Sequence, residues 1–166
     1  MRLKISELDL GFQNKIFEIS SNDLADRGTI FKEKVIKATL DLLKDKNYFC
    51  LSGTLEATPR YICVRCLKKN SVQLNLPINI LIIEDTISNN FENNSDIIYF
   101  NKSDNCINLK NVFADLIALA EPIQPLCEEE CFGLCPRCGT VKRKFCTCTE
   151  TISTTNWDKL KNLQIQ

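Results

Sequence analysis

KVIKATLDLLKDKNYFCLSGTLEA, residues 34–57, decides the fold class of this chain. Ile36, Ala38, Leu40 and Leu42 alternate with Lys37, Thr39 and Asp41. A period of two predicts a strand with one buried face and one wet face. Asp45-Lys46-Asn47 has turn composition, and Tyr48 to Ala57 reads as a second strand in which Gly53 marks a possible bulge. Two strands joined by so short a turn predict an antiparallel hairpin.

Downstream the β pattern continues. Past Pro59 the chain reaches Cys63-Val64-Arg65-Cys66, then Val72, Leu74, Leu76, Ile78, Ile80 and Ile82 alternate with Gln73, Asn75, Pro77 and Asn79. Proline has no N–H for the ladder, so Pro77 predicts an edge strand or a bulge. Residues 84–106 are polar, with loop composition from Asn89 to Asp96, a short strand at Ile97 to Phe100, and Cys106 as a small apolar residue. One helix follows. Asn108 can cap it, and Leu109, Val112, Phe113, Leu116, Ile117 and Ala120 recur on one face until Pro122 and Pro125 end it. Residues 1–33 are open between strand and helix, and Trp157, Leu160 and Leu163 suggest a last helical turn. The expected fold is α+β: an antiparallel β-rich body (a meander or partial barrel), one main amphipathic helix at 109–121, and a C-terminal zinc-knuckle-like segment. The expected divisions are a body over 1–126, a cysteine-rich segment over 127–148 and a tail over 149–166.

That segment, CEEECFGLCPRCGTVKRKFCTC, holds six of the ten cysteines. Cys135-Pro136-Arg137-Cys138-Gly139 has the form of a metal knuckle: two thiolates three positions apart share one tetrahedral ion, and the glycine lets backbone N–H groups turn toward sulfur. One ion takes four ligands. Cys146 and Cys148 are the first choice to complete the set, Cys127 and Cys131 the alternative, and Cys63 with Cys66 a possible second half-site. The chain has no histidine, so a zinc ion here is held by sulfur, or borrows an acidic oxygen such as Glu128 or Glu130. Met1 to Asp23 lacks the basic-then-apolar pattern of a secretion signal, so closely spaced thiols favour a metal over disulfides and predict a cytoplasmic setting.

Composition narrows the function classes. Formal net charge is zero, which argues against coating nucleic acid by bulk electrostatics. No apolar run reaches membrane-spanning length. No histidine is available for general base work, no GxSxG occurs, and the five glycines are scattered singly rather than gathered in a phosphate loop. Neither a catalytic constellation nor a small-molecule substrate is evident.

Cys63-Val64-Arg65-Cys66-Leu67, at the start of an alternating strand, resembles the C-x-R-C-L signature of the YceD family, the large ribosomal RNA subunit accumulation proteins. The run from Ile107-Asn108-Leu109 through Leu116-Ile117-Ala118-Leu119 to Pro122-Ile123-Gln124-Pro125-Leu126-Cys127 is similar to that family's second signature block. GLCPRCG followed by CTC resembles the tail of its cyanobacterial, plastid and many other bacterial members, and Trp157-Asp158-Lys159-Leu160 resembles how such chains close. Glu121, Asn108 and the basic Lys142-Arg143-Lys144 depart from the pattern. The resemblance implies a non-catalytic factor needed for accumulation or maturation of large-subunit rRNA. Its partners would be an rRNA precursor or a ribosomal protein. In a neutral chain any RNA contact is local. Candidates are Arg60, Arg65, Lys68 and Lys69 around the first CxxC, and Arg137, Lys142, Arg143 and Lys144 in the tail. Competing readings are a thiol-redox protein using the CxxC pairs and a structural zinc module that binds another protein.

Overall fold

The computed structural model describes residues 1–46, 48–85, 96–101, 103–142 and 146–148. In chain order the elements are β1 (Arg2–Lys4), α1 (Ile5–Leu10), β2 (Phe12–Ser20), β3 (Ile30–Phe31), β4 (Val35–Lys44), β5 (Tyr48–Ala57), β6 (Pro59–Ile62), β7 (Lys69–Ser71), β8 (Leu74–Glu84), β9 (Asp96–Phe100), β10 (Cys106–Asn108) and α2 (Lys110–Ala120). The hairpin read from residues 34–57 is β4–β5, in register from Lys37 opposite Glu56 to Lys44 opposite Phe49. It lies at the centre of an open five-stranded sheet of order β2-β4-β5-β8-β9. The first four strands form an antiparallel meander, and β9 adds in parallel to β8. The fold is therefore α+β and mostly antiparallel.

Alternation does the folding work here. Ile36, Ala38, Leu40 and Leu42 all point inward from β4. They meet Leu51 and Leu55 of β5 and Ile78, Ile80 and Ile82 of β8. A second layer closes over this face: Leu3 of β1, Leu8 of α1, Ile107 of β10, then Leu109, Phe113 and Ile117 of the α2 segment. Each such side chain contributes roughly 1.5–3 kcal/mol of burial free energy. β1 pairs with β10, so the N-terminus left open by the sequence is fixed by partners about a hundred residues away.

Local expectations are refined in three places. Gly53 is not a bulge, since Leu40–Gly53–Ile78 register runs through it unbroken. Its φ is 147°, and a Cβ there would lie 2.1 Å from the Thr39 carbonyl oxygen, so close strand approach requires the glycine. Pro77 pairs with Thr54 of β5 and lies before Ile80, where the described pairing of β8 with β9 begins. At α2 the capping geometry belongs to Leu109, while Asn108 Oδ1 accepts the Lys110 N–H at 3.1 Å. Glu121 accepts a hydrogen bond from the Thr29 hydroxyl. With Arg27–Asp115 at 2.6 Å, it ties the chain between β2 and β4 to α2. No helix among the described residues is long and apolar enough to cross a membrane.

Outside the main sheet, β3, β6 and β7 form a three-stranded sheet of order β3-β6-β7. Its β6–β7 turn carries the first CxxC.

Candidate metal centres

Two turns built alike present the cysteines. In the first, the Cys63 N–H donates to Lys68 O at 3.0 Å and the Leu67 N–H donates to Cys63 O at 2.9 Å. In the second, the Cys135 N–H donates to Thr140 O at 2.8 Å and the Gly139 N–H to Cys135 O at 2.9 Å. The flanking pairs correspond as well: Ile62 lies opposite Lys69, and Leu134 opposite Val141. Both turns need a left-handed residue after the second cysteine, supplied by Leu67 at φ 59° and Gly139 at φ 70°. This backbone swings N–H groups toward the first sulfur, those of Cys66 and Arg65 toward Cys63 and those of Cys138 and Arg137 toward Cys135.

The eight cysteines separate into two groups of four. Cys63, Cys66, Cys127 and Cys131 bring their sulfurs within 4.8 Å of one another, and so do Cys135, Cys138, Cys146 and Cys148. Cys63 Sγ is 3.7 Å from Cys131 Sγ, Cys66 Sγ 3.5 Å from Cys127 Sγ, and Cys138 Sγ 3.7 Å from Cys146 Sγ. A disulfide needs about 2.05 Å. Four sulfurs around one ion at metal–sulfur bonds of about 2.3 Å are separated by about 3.8 Å along each edge of the tetrahedron. The spacing thus fits a shared ion, and each group can hold one. The tail set is the one the knuckle motif points to. Cys127 and Cys131, its alternative completing pair, instead sit with Cys63 and Cys66. Cys50 and Cys106 stand outside both groups.

The surroundings differ. Cys63, Cys66 and Cys131 are buried and Cys127 is half-buried, with Leu126, Leu134 and Val141 packed against them. In the tail set Cys135 is buried, but Cys138 is exposed. The segment after α2 is laid against the first knuckle by three hydrogen bonds. Val64 N–H donates to Pro125 O at 3.0 Å, Leu134 N–H to Arg65 O at 3.1 Å, and the Arg65 guanidinium to Cys131 O at 2.9 Å. Gly133 makes that approach possible: its φ is 72°, and a Cβ would come within 3.0 Å of Arg65 O.

Within each group the thiols are driven apart in acidity. Burial pushes the Cys63 thiol up, yet N–H groups of Cys66, Arg65 and Cys127 overcome it and bring it down to about 6. Its neighbour Cys127 is pushed up to about 12, chiefly by hydrogen bonding to Cys66. In the tail the Thr140 hydroxyl, 2.9 Å from Cys138 Sγ, leads in lowering that thiol to about 6, while hydrogen bonding to Cys138 pushes Cys148 up to about 12. Thiolates and thiols therefore share protons, and an arriving cation displaces those that remain.

Of the basic candidates, Arg65, Lys68 and Lys69 all lie at the first knuckle and are exposed, with the Arg65 guanidinium turned back onto Cys131 O. Arg137 is exposed at the second knuckle, and the Lys142 N–H donates to Gly133 O at 3.0 Å. Arg143 and Lys144 lie outside the described residues, as do Trp157, Leu160 and Leu163. Sequence reading missed Thr140 and Gly133. The glycine, next but one after Cys131, was the signal available for a tight backbone approach.

Compared with known proteins, residues 51–164 match the family described as "Large ribosomal RNA subunit accumulation protein YceD". A Mycobacterium leprae (strain TN) protein, ML1660, described only as uncharacterized, is similar to this chain at 28% identity over 90 residues, 54% of this chain and 41% of that one. The match thus spans less than half of the length of that relative. No solved structure matches. Both knuckles and both cysteine groups fall inside the matched residues, well over half of the chain, and on that ground the chain belongs to the YceD family of large ribosomal RNA subunit accumulation proteins.

Proposed function

We propose that this chain is a non-catalytic, cytoplasmic factor in the biogenesis of the large ribosomal subunit, which holds zinc in its tail and meets the rRNA precursor through the basic residues of its knuckles. Membership of the YceD family carries the ribosomal part of the reading. Zinc is the ion that suits the donors: the tail set is all sulfur, the chain has no histidine, and four thiolates leave no open position for chemistry. Such an ion is structural. It holds a turn whose charges would otherwise have to be ordered on binding.

For RNA, the supporting observation is that Lys68 and Lys69 are exposed at the end of a hydrogen-bonded turn, with Arg60 on neighbouring β6 exposed as well. Fixed cations position a phosphate backbone without the entropy loss of ordering a loop. The test is binding of the full chain to large-subunit precursor RNA across salt concentrations, wild type against Lys68→Glu/Lys69→Glu. Each phosphate left without its cation flattens the log-affinity slope by roughly 0.7–0.9. An unchanged slope in a variant that still co-sediments with the precursor particle would make a ribosomal protein the partner. Loss of co-sedimentation by the wild-type protein would end the ribosomal reading.

A further inference from the structure

The group inside the body raises a question the tail does not. Cys63 and Cys66 come from the β6–β7 turn, while Cys127 and Cys131 come from the extended segment beyond α2, 61 and 68 residues later in the observed pairs. No strand pairing joins these two pieces among the described residues; hydrogen bonds at Val64, Arg65 and Leu134 bring them together. Yet three of the four sulfurs are buried. Thiols packed together in this way gain little from one another, since a thiol is a weak donor and a weak acceptor. Four thiolates around a divalent ion are a different object, stable if N–H groups offset the net negative charge.

Those groups are present. Backbone N–H groups of Arg65, Cys66 and Cys127 face Cys63, and that of Gly133 faces Cys131. The Arg65 guanidinium, bound to Cys131 O, adds a cation at the rim. The acidic run Glu128–Glu130 is exposed and outside the group of four, so the donor set is sulfur only. The sulfurs are too close together for anything but a single ion.

We propose that Cys63, Cys66, Cys127 and Cys131 form a second, self-contained zinc site that staples the segment leaving α2 to the β6–β7 turn, so that the chain carries two ions with no shared ligand. The tail knuckle acts as its cover. Leu134 and Val141, the pair that flanks the second knuckle, pack against the body cysteines. Loading the tail therefore shields the ion beneath it. This proposal stands independently of the ribosomal reading, because metal content reports on it without any partner.

The experiment is a metal count on the full chain purified under reducing conditions, with cobalt(II) titration of the demetallated protein as a second readout. Two zinc ions per chain, and two equivalents of cobalt with the absorption of tetrahedral all-thiolate sites, are expected. Cys66→Ser and Cys138→Ser should each retain one ion, and in Cys138→Ser a chelator should strip the remaining ion faster than it strips the body ion of the wild type. A single ion in the wild type, iron in place of zinc, or undiminished zinc in Cys66→Ser would overturn the assignment. Should Cys66→Ser fail to fold, the wild-type zinc count and cobalt titration decide alone.

Discussion

At the first knuckle, Cys63 and Cys66 reach partners 68 and 61 residues away, bury their sulfurs and bind the end of one helix to a distant hairpin. At the second, Cys138 meets Cys146 eight residues on and stays exposed. The turns themselves have the same hydrogen bonds and the same left-handed fifth residue. One local device thus serves two ends. With the proposed ions bound, it would close the tertiary structure in the body and a loop in the tail. Loop-closure entropy grows only with the logarithm of length, so a clasp spanning 68 residues instead of 8 restrains the unfolded chain by about 2 kcal/mol more.

The largest effect should come from removing one ligand of each group. Cys66→Ser should abolish a cooperative unfolding transition or lower its midpoint far more than Cys138→Ser, which should loosen residues 135–148 and leave the β4–β5–β8 sheet intact. Hydrogen exchange in the two variants checks this. Equal losses would erase the distinction between staple and loop.

Gly133→Ala probes where the regions join. Its left-handed φ and the 3.0 Å approach to Arg65 O predict a loss of about 1–3 kcal/mol, seen in denaturant unfolding. Gly139→Ala has the same φ problem but nothing within 4 Å of its Cβ, so it should lose about 1 kcal/mol and only at the tail. If the two glycine variants behave alike, the body and tail are not held together at Gly133.

Thiol reactivity sharpens the contrast further. In demetallated protein at pH 7, Cys138 and Cys63 are both mainly thiolate, with acidities of about 6, but only Cys138 is exposed. Peptide mapping after brief alkylation should find Cys138 modified first and Cys63 late. Because the Cys138 thiol is lowered to about 6, its reactive thiolate is lost as pH falls through that value, and Cys138 should react about tenfold more slowly at pH 5 than at pH 7. Cys63 reacting as fast as Cys138 would mean the body site is open without its ion.

The smallest expected effect is at the fifth residue of the first turn. Leu67 holds φ 59° with 62% of its surface exposed. Leu67→Gly should relieve about 1 kcal/mol of backbone strain, visible as a small rise in the thermal midpoint. A fall would show that the leucine side chain contributes more than the turn geometry requires.

What the sequence by itself determined was local. A two-residue period in residues 34–57 and 72–82 specified strands with one buried face, and a near-four-residue period in 109–120 specified the helix, because side-chain direction along an element follows from backbone geometry alone. The knuckles were legible for the same reason, since Cys-x-x-Cys followed by glycine, or by the leucine at 67, encodes its own turn. Tertiary structure alone decided three things. β1 and α1 lack a period of their own and form because Leu3 and Leu8 find Ile107, Phe113 and the β4 face. Gly53 was ambiguous until a neighbouring strand came within 2.1 Å of where its Cβ would be. The assignment of Cys127 and Cys131 to Cys63 and Cys66, in place of the nearer Cys135 and Cys138, depends on where α2 releases the chain. Thiols carry no label for their partners: any four brought within a tetrahedron of sulfur can share an ion, and only the packed fold brings them there.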